Sequence, residues 1–150
     1  MSDKMQEQRE GGFLIAKIHQ ITNRIFKKLL KKYGINELNP GQGRILFALW
    51  KQDGVPIHEL SKKTQLTKST LTTMLERLEH ADFIKREPDK SDGRIINILL
   101  SEKSKNLQKK YVDVSKRMTE LFYRTLTSEE IDKFEDFLRK ILDNLLNAKI

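Results

Sequence analysis

Residues 62–95 read KKTQLTKSTLTTMLERLEHADFIKREPDKSDGRI and combine three patterns in a short space. An opening rich in lysine and hydroxyl side chains comes first, and leucines at helical spacing follow it. The apolar pair Phe83 and Ile84 then leads into a polar segment that ends near Arg94. This order predicts a helix followed by a β-hairpin.

The predicted helix has an apolar side and a polar side. Thr67 can cap its first turn, and Leu71 and Leu75 begin an apolar stripe at helical spacing. The segment 62–73 contains three lysines and no acidic residue. Free backbone N–H groups and the positive end of the helix macrodipole point to the same end of the helix. We therefore expect this end to attract an anion.

Three helices are predicted on the N-terminal side of the helix that Thr67 caps. A long amphipathic helix covers residues 13–34. Asn39 and Pro40 predict the start of a second helix, with Gln42 completing a capping box. A short third helix is predicted over 57–64.

A hairpin and two long helices are predicted on the C-terminal side of the helix that Thr67 caps. The hairpin strands cover 83–87 and 94–100, and its tip is expected to use the positive φ angles that Asp92-Gly93 permits. Long helices follow over 101–125 and after Thr127, which can form a capping box with Glu130. The predicted fold class is mainly α with a small β-wing.

A short helix, a turn, a helix with a hydroxyl-rich start and a hairpin form the order of a winged helix-turn-helix. A DNA major groove about 12 Å wide admits one α-helix, and that helix is anchored by burying its back. The alternative is a surface helix with ordinary capping, and the hairpin that follows favours the DNA-binding interpretation. The side chains able to reach phosphates or base edges are then Lys68, Ser69, Thr70, Thr72, Thr73 and Arg77.

The sequence resembles the MarR-type transcriptional regulators over nearly its whole length. The segment TKSTLTTMLERLEHADFIKRE is similar to the family's recognition helix and first wing strand. The segment REPDKSDGRIINILLSEKS is similar to its wing signature, whose positions are Asp92, Gly93, Arg94, Leu100 and Ser101. The resemblance implies a sequence-specific regulator of transcription, most often a repressor, that binds a pseudo-palindromic double-stranded operator as a homodimer.

By that resemblance, Arg94 at the wing tip enters or borders the minor groove, Asp92 orients the wing and Lys90 lies near phosphates. An arginine suits a narrow groove because negative potential is focused there and the guanidinium sheds water readily. The alternative is that Asp92 and Arg94 only pair across the hairpin. The predicted DNA-binding residues are Lys62, Lys68, Ser69, Thr70, Thr72, Thr73, Arg77, Lys90, Asp92 and Arg94.

Four positions depart from the family's pattern. Gln65 and Asp82 stand where the family often has Gly, and both are expected to adopt left-handed backbone geometry. Thr73 stands where a basic residue is frequent, and Ser104 replaces the usual Gly after the wing.

The terminal helices are apolar over a wide arc, and a wide apolar surface must be enclosed. We predict a single MarR-like domain 13–150 behind a flexible leader 1–12. Within it, 13–34 and 101–150 are dimerisation helices and 39–100 is the DNA-binding lobe. The predicted dimerisation residues are Leu14, Ile18, Ile21, Phe134, Leu138, Ile141, Leu142 and Leu145.

The resemblance also implies a small-molecule effector. Relatives commonly bind phenolic or other lipophilic anions where the dimerisation helices meet the DNA-binding lobe, and the ligand alters the separation of the recognition helices. A ligand does this through its different affinities for the two states. Candidates for lining such a cleft are His19, Arg24, Tyr33 and Arg44, with surface or packing roles as the alternative.

Composition restricts the functional class. The net charge of +8 favours an anionic partner, but 55–100 holds 8 basic and 7 acidic residues, so placement matters more than the total. Cysteine is absent, which excludes disulfides and thiol nucleophiles. The N-terminus lacks an apolar signal core, and no apolar run approaches the ~20 residues that a membrane span needs. We expect a cytoplasmic protein without a membrane partner.

Two rival functions are open. HELSK at 58–62 begins like the zinc-protease motif HExxH but has Lys62 in place of the second histidine. The histidines His19, His58 and His80 are far apart in sequence, so no catalytic residue, metal or cofactor is predicted. The second rival, a helical homodimeric adaptor without DNA binding, accounts for the wide apolar helices. It leaves the acid-free helix start and the wing arginine as coincidences.

Overall fold

The computed structural model describes residues 8–150, and within them the predicted mainly α fold with a small β-wing is confirmed. The described part contains six helices and three strands. In chain order they are α1 Gly11–Lys32, α2 Pro40–Lys51, β1 Val55–Pro56, α3 Ile57–Thr64, α4 Lys68–His80, β2 Ile84–Pro88, β3 Ile96–Leu100, α5 Glu102–Phe122 and α6 Ser128–Leu146.

Local capping signals set several helix starts as predicted. The Asn39 side chain accepts from the Gln42 backbone N–H at 2.8 Å, and the Gln42 side chain accepts from the Asn39 N–H at 3.1 Å. The same reciprocal pair forms between Thr127 and Glu130 at the start of α6. These bonds satisfy backbone donors that a helix start otherwise leaves free.

The helix boundaries differ slightly from the prediction at two places. Helix α1 begins at Gly11, two residues earlier than expected, so the end of the predicted 1–12 leader is helical. Residues 1–7 of that leader lie outside the described residues. Helix α5 ends at Phe122, before the predicted end at 125.

The three strands form one antiparallel sheet in the order β1-β3-β2. Strands β2 and β3 with the loop 89–95 between them form the wing, in which Ile84 pairs with Leu100 and Arg86 with Ile98. The Asp53 side chain accepts from the Leu100 backbone N–H at 2.9 Å and holds the turn before β1 against β3. The base of the wing is therefore fixed to the helical lobe.

The back of α4 is buried in the core, as the leucine spacing predicts. Leu71, Leu75 and Leu78 are fully buried together with Leu46 of α2 and Leu60 of α3. Each buried leucine of this kind contributes about 1.5–3 kcal/mol relative to an exposed one. The opposite face of α4 is consequently held in a fixed orientation toward solvent.

The start of α5 is bonded to the turn between α4 and β2. Ser104 is fully buried and its hydroxyl donates to the Phe83 carbonyl, while Trp50 Nε1 donates to the Ser104 carbonyl at 3.1 Å. The Ser101 hydroxyl donates to the Asp82 carbonyl at 2.6 Å. The hydroxyl of Ser104, at the position where the family usually has Gly, thus supplies a buried hydrogen bond.

Close packing between α2 and α5 depends on a glycine. A Cβ at the buried Gly43 would lie 2.5 Å from the Tyr111 hydroxyl oxygen and 2.6 Å from its ring. Such a contact is far inside van der Waals distance, so any side chain there would displace Tyr111. The helices are able to approach because position 43 lacks a side chain.

The chain divides into two compact units, the described part up to Val114 and the segment Ser115–Ile150. In the second unit, Phe134 packs edge-on against Tyr123 with ring centroids 6.1 Å apart. The Tyr123 hydroxyl donates to Glu135 at 2.8 Å, and burial together with this carboxylate raises the Tyr123 pKa to about 12. The assignment of 13–150 to one domain stays a prediction.

No helix between residues 8 and 150 combines the length and the apolar character that crossing a bilayer requires.

Candidate nucleic-acid interface

The outward face of α4 carries the predicted recognition side chains. Lys68, Ser69, Thr70, Thr73 and Arg77 are exposed, and Thr72 is half-buried. At the start of the helix, the Thr67 side chain accepts from the Thr70 backbone N–H at 3.3 Å, as its position predicts. The face opposite the buried leucines is therefore a continuous polar surface that begins at the positive end of the helix.

Two of the threonine hydroxyls are already used as donors. Thr72 Oγ1 donates to the Lys68 carbonyl at 2.7 Å, and Thr73 Oγ1 donates to the Ser69 carbonyl at 3.1 Å. Their oxygens remain free to accept, and their methyl groups are free to pack. Because a phosphate only accepts, these two side chains are better suited to a base amino group or a thymine methyl.

The turn between α3 and α4 has the predicted left-handed geometry. Gln65 has φ 57°, and its side-chain amide donates to the Lys62 carbonyl at 2.9 Å. The Ser61 hydroxyl donates to the Leu66 carbonyl at 2.9 Å. Asp82 at the end of α4 likewise has φ 64°. The bonds made by Gln65 and Ser61 fix the angle at which α3 leads into α4.

The wing loop is organised by Asp89, a residue that the sequence reasoning missed. Its Oδ2 accepts from the Ser91 backbone N–H at 3.1 Å, the Ser91 hydroxyl at 2.6 Å and the Asp92 N–H at 3.1 Å. Its Oδ1 accepts from Asn97 Nδ2 at 2.8 Å. The Ser91 hydroxyl and the Asn97 amide are the largest causes that lower the Asp89 pKa to about 2. The local signal was the Asp-x-Ser spacing of a side-chain-capped turn.

The expected positive φ at the Asp92-Gly93 tip is wrong. Among the described residues, the glycines with positive φ are Gly34 and Gly54. The loop reverses through the Asp89 carboxylate and through a bond from the Ile95 N–H to the Asp92 carbonyl at 3.0 Å. Gly93 therefore has no need of the left-handed conformation.

Arg94 is paired with Asp92 and exposed at the same time. Its Nε lies 3.0 Å from Asp92 Oδ1, and its Nη2 lies 3.1 Å from Oδ2. The Arg94 hydrogen bonds hold the Asp92 pKa below its usual value. The Arg94 side chain is nevertheless 91% exposed, and a guanidinium has further N–H donors. The pairing thus holds the guanidinium at the wing tip without consuming all of its donors.

The remaining cations of the predicted site have no acidic partner nearby. Within residues 8–150, Lys62, Lys68, Arg77 and Lys90 form no ion pair, and all four side chains are exposed. In contrast, Lys85 and Arg86 of the wing each approach a glutamate. These four unpaired cations lie on α3, α4 and the wing loop.

We predict that the wing loop keeps its order in mild acid. The folded pKa of Asp89 is about 2, below the ordinary value of 3.8 for an aspartate, so its bonds contribute stability above about pH 4. This contribution is lost as the pH falls through about 2. The amide resonances of Ser91 and Asp92, followed by NMR, should stay constant from neutral pH to about pH 4 and shift below it. An Asp89 midpoint near 3.8, or the same profile in Asp89→Asn, would contradict the assignment.

Only two of the four predicted effector residues come together. Asn23, which sequence reasoning missed, donates through Nδ2 to His19 Nε2 at 3.2 Å and accepts through Oδ1 from Arg44 Nη2 at 2.9 Å. Arg24 is exposed and Tyr33 packs at the edge of the core, and neither hydrogen-bonds to this network among the described residues. His19, Asn23 and Arg44 therefore form one polar group that joins α1 to α2.

An aromatic cluster adjoins Arg44. The Tyr111 ring centroid lies 5.6 Å from Phe26, 6.4 Å from Phe47 and 5.0 Å from Trp50. Burial raises the Tyr111 pKa to about 12, and the charge of Arg44 partly opposes this rise. A cation and an aromatic wall are thus present side by side. In the described part of the chain, no group of three or more acidic or histidine side chains could hold a metal ion.

The predicted dimerisation residues are mostly exposed in the single chain. Leu14, Ile18 and Ile21 on α1 and Ile141, Leu142 and Leu145 on α6 are between 41% and 69% exposed. Phe134 and Leu138 are half-buried. The exposure of the apolar side chains on α1 and α6 is compatible with an interaction surface, and the assignment of these residues to dimerisation stays a prediction.

The sequence is similar to known transcriptional regulators. Residues 38–96 match the MarR family model. MgrA from Staphylococcus aureus is 26% identical over 143 residues, which are 95% of this chain and 94% of MgrA. TtmR from Methylorubrum extorquens is 32% identical over 87 residues, which are 58% of this chain and 43% of TtmR, so that match spans less than half of TtmR. Both relatives are HTH-type transcriptional regulators.

Two solved structures have the same fold. A MarR mutant from E. coli complexed with operator DNA has a TM-score of 0.78 at 23% identity, covering 87% of this chain and 92% of that one. BpsR from Bordetella bronchiseptica, whose DNA binding is regulated by 6-hydroxynicotinic acid, has a TM-score of 0.80 at 22% identity, covering 95% and 96%.

Proposed function

Because the chain belongs to the MarR family of transcriptional regulators, we propose that it represses transcription by binding a pseudo-palindromic DNA operator as a homodimer. In each subunit α4 enters a major groove and the wing reaches the adjacent minor groove. Nine of the ten predicted DNA-binding residues supply the phosphate and base contacts, and the tenth, Asp92, orients the wing. The E. coli MarR mutant complexed with operator DNA, which shares the fold, supports this mode.

One observation carries the proposal. The polar face of α4, whose back is buried by leucines, and the exposed Arg94 of the wing belong to two adjoining elements of one lobe. Four further cations on α3, α4 and the wing loop, Lys62, Lys68, Arg77 and Lys90, form no ion pair among the described residues, and Arg94 stays 91% exposed although it is paired with Asp92. A polyanion that spans two neighbouring grooves satisfies both sets of cations at once.

We expect duplex affinity to fall steeply with salt. Each subunit presents five cations of the predicted site, and a dimer presents twice as many. Each cation that contacts a phosphate releases a counterion from the DNA. For about 6–10 such phosphate contacts, the affinity falls by about a thousandfold or more between 50 and 200 mM salt. Fluorescence anisotropy with operator fragments selected from the source genome measures this slope. Lys68→Gln should flatten the slope, whereas Lys109→Gln, an exposed lysine of α5, should leave it unchanged. A flat response in the unaltered protein would favour the adaptor.

The homodimer rests on the exposed apolar residues of the two compact units. Leu14, Ile18 and Ile21 form a row on α1, and Ile141, Leu142 and Leu145 form a row on α6. A second copy of the chain covers both rows in this proposal. Burying these rows stabilises the dimer by about 25 cal/mol for each Å² of apolar surface removed from water. Burial of apolar surface is the usual source of stability in a permanent dimer.

An aromatic carboxylate or phenolic effector is proposed to release the DNA. Arg44 offers a charge-assisted bond to an anion, His19 and Asn23 offer polar contacts, and the ring cluster around Tyr111 offers an apolar wall. The regulation of BpsR by 6-hydroxynicotinic acid supports this chemistry.

The effector proposal is tested with 6-hydroxynicotinic acid and salicylate as probes. We expect at least one of them to lower duplex affinity, and Arg44→Gln to abolish this response. Arg24→Gln is the matched control, because Arg24 is an exposed arginine on α1 outside the His19–Asn23–Arg44 network. Equal responses in the two variants, or no response to either probe, would count against the site.

A further inference from the structure

Arg86 is a charged residue on the inner face of the wing. Alternate side chains of a strand share a face, so Arg86 shares one with Ile84, which is almost fully buried. Its partner across the hairpin is Ile98, also fully buried. The Arg86 side chain is only 27% exposed. A guanidinium therefore occupies a position where the strand pattern predicts an apolar residue.

The guanidinium of Arg86 reaches the recognition helix. Its Nε lies 3.4 Å from Glu79 Oε1, and Glu79 stands in the last turn of α4. The same Nε is buried and has no hydrogen-bond partner in the described chain, because the contact with Glu79 lacks hydrogen-bond geometry. The two residues are thus an ion pair between the wing and α4, with attraction but imperfect alignment.

Stability alone does not account for this arrangement. Removing a guanidinium from water has a cost that a misaligned partner repays only in part, and an apolar side chain packs at such a position without that cost. What the pair does provide is a direct link between the two elements that carry the predicted DNA contacts. Strand β2 continues from Arg86 to its end at Pro88, and the next residue, Asp89, organises the loop that carries Arg94.

We propose that Arg86 and Glu79 are positioning residues that set the angle between the wing and α4. The wing tip then meets the minor groove while α4 occupies the major groove, so Arg94 makes its contact without reordering the wing. The inference rests on the proposed DNA-binding function. Arg86 acts through Arg94 and is not itself a DNA contact.

A double-mutant cycle on duplex affinity tests the proposal. Arg94→Ala is expected to weaken binding about 5- to 150-fold in the unaltered protein. In the Arg86→Met background, which keeps an unbranched apolar stem and removes the charged guanidinium, we expect the additional loss from Arg94→Ala to fall below about threefold. Glu79→Gln, which preserves shape, should reduce the Arg94 loss in the same direction.

The matched control lies on the next residue of the same strand. Lys85 is paired with Glu87 at 3.3 Å on the exposed face of β2. Lys85→Met removes one positive charge from the wing, as Arg86→Met does, and should leave the Arg94→Ala loss at its full value. The exchanged pair Glu79→Arg with Arg86→Glu should restore much of the coupling. Circular dichroism and thermal melting of every variant test whether the fold is retained.

The outcomes separate this inference from the proposed function. If Arg94→Ala changes nothing in the unaltered protein, the wing has no part in DNA binding and both proposals fail. If Arg94→Ala weakens binding equally in the unaltered, Glu79→Gln and Arg86→Met backgrounds, DNA binding by the wing stands and the positioning role is overturned. If Arg86→Met does not fold, the Glu79→Gln cycle decides in the same way.

Discussion

Replacing Arg94 with alanine should weaken binding to the cognate duplex by about 5- to 150-fold. The loss is large because a guanidinium in a narrow minor groove lies where the negative potential of the DNA is focused. Asp92 holds that guanidinium at the tip through two bonds, so little side-chain freedom is lost on binding. Electrophoretic mobility shift or anisotropy titrations at fixed salt measure the change.

The comparison that matters is with another exposed arginine. Arg124 lies after α5 and outside the predicted interface, and Arg124→Ala removes the same charge from the whole protein. The effect of Arg124→Ala on duplex affinity should be small when both variants are measured at the same salt concentration, because both lose the same non-specific electrostatic attraction. Equal losses for Arg94→Ala and Arg124→Ala would remove the wing tip from the mechanism. The change Asp92→Asn, which leaves the guanidinium in place but loosens it, should have an intermediate effect.

The second large effect is expected in the core behind α4. Leu75 is fully buried, and Leu75→Ala should lower the free energy of unfolding by about 2–5 kcal/mol. The cost combines the lost burial of the side chain with the cavity that remains. Denaturant unfolding followed by circular dichroism measures it.

A control on the same helix separates the core from the outward face. Thr73 is exposed, and Thr73→Ala should change the free energy of unfolding by less than about 0.5 kcal/mol. If Thr73 touches a base, the same change should still alter DNA affinity. A Leu75→Ala loss below about 1 kcal/mol would contradict the anchoring of α4 by its leucine stripe.

Signals carried by a few neighbouring residues could be predicted from the sequence. The left-handed positions Gln65 and Asp82 were expected from the resemblance to the family. The capping boxes at Asn39 and Thr127 and the cap at Thr67 each depend on chemistry within four residues. Such interactions form in almost any tertiary context. The helices and the hairpin of the winged lobe were therefore predictable, and the family match agrees with them. The two-residue strand β1, which pairs with β3 across more than 40 residues of sequence, was not predicted.

Interactions that join distant residues could not be predicted in this way. Asn97 bonds to Asp89 across the hairpin, and Asn23 bonds to Arg44, which is 21 residues away. The wing loop is held by Asp89, and not by a tight turn at Asp92-Gly93, in part because the Asn97 amide on the opposite strand donates to Asp89. Arg86 likewise finds Glu79 only when the wing packs on α4. The assignments of individual side chains to DNA, effector and dimer contacts remain predictions.

Light scattering during size-exclusion chromatography tests the central claim, that two copies of the chain bind one duplex. The protein alone should elute with twice the 17.6 kDa mass of one chain. With an operator duplex, the mass should rise by that of one duplex and no more. A mass of 17.6 kDa for the protein alone in dilute buffer, together with only one chain bound per cognate duplex, would contradict the account.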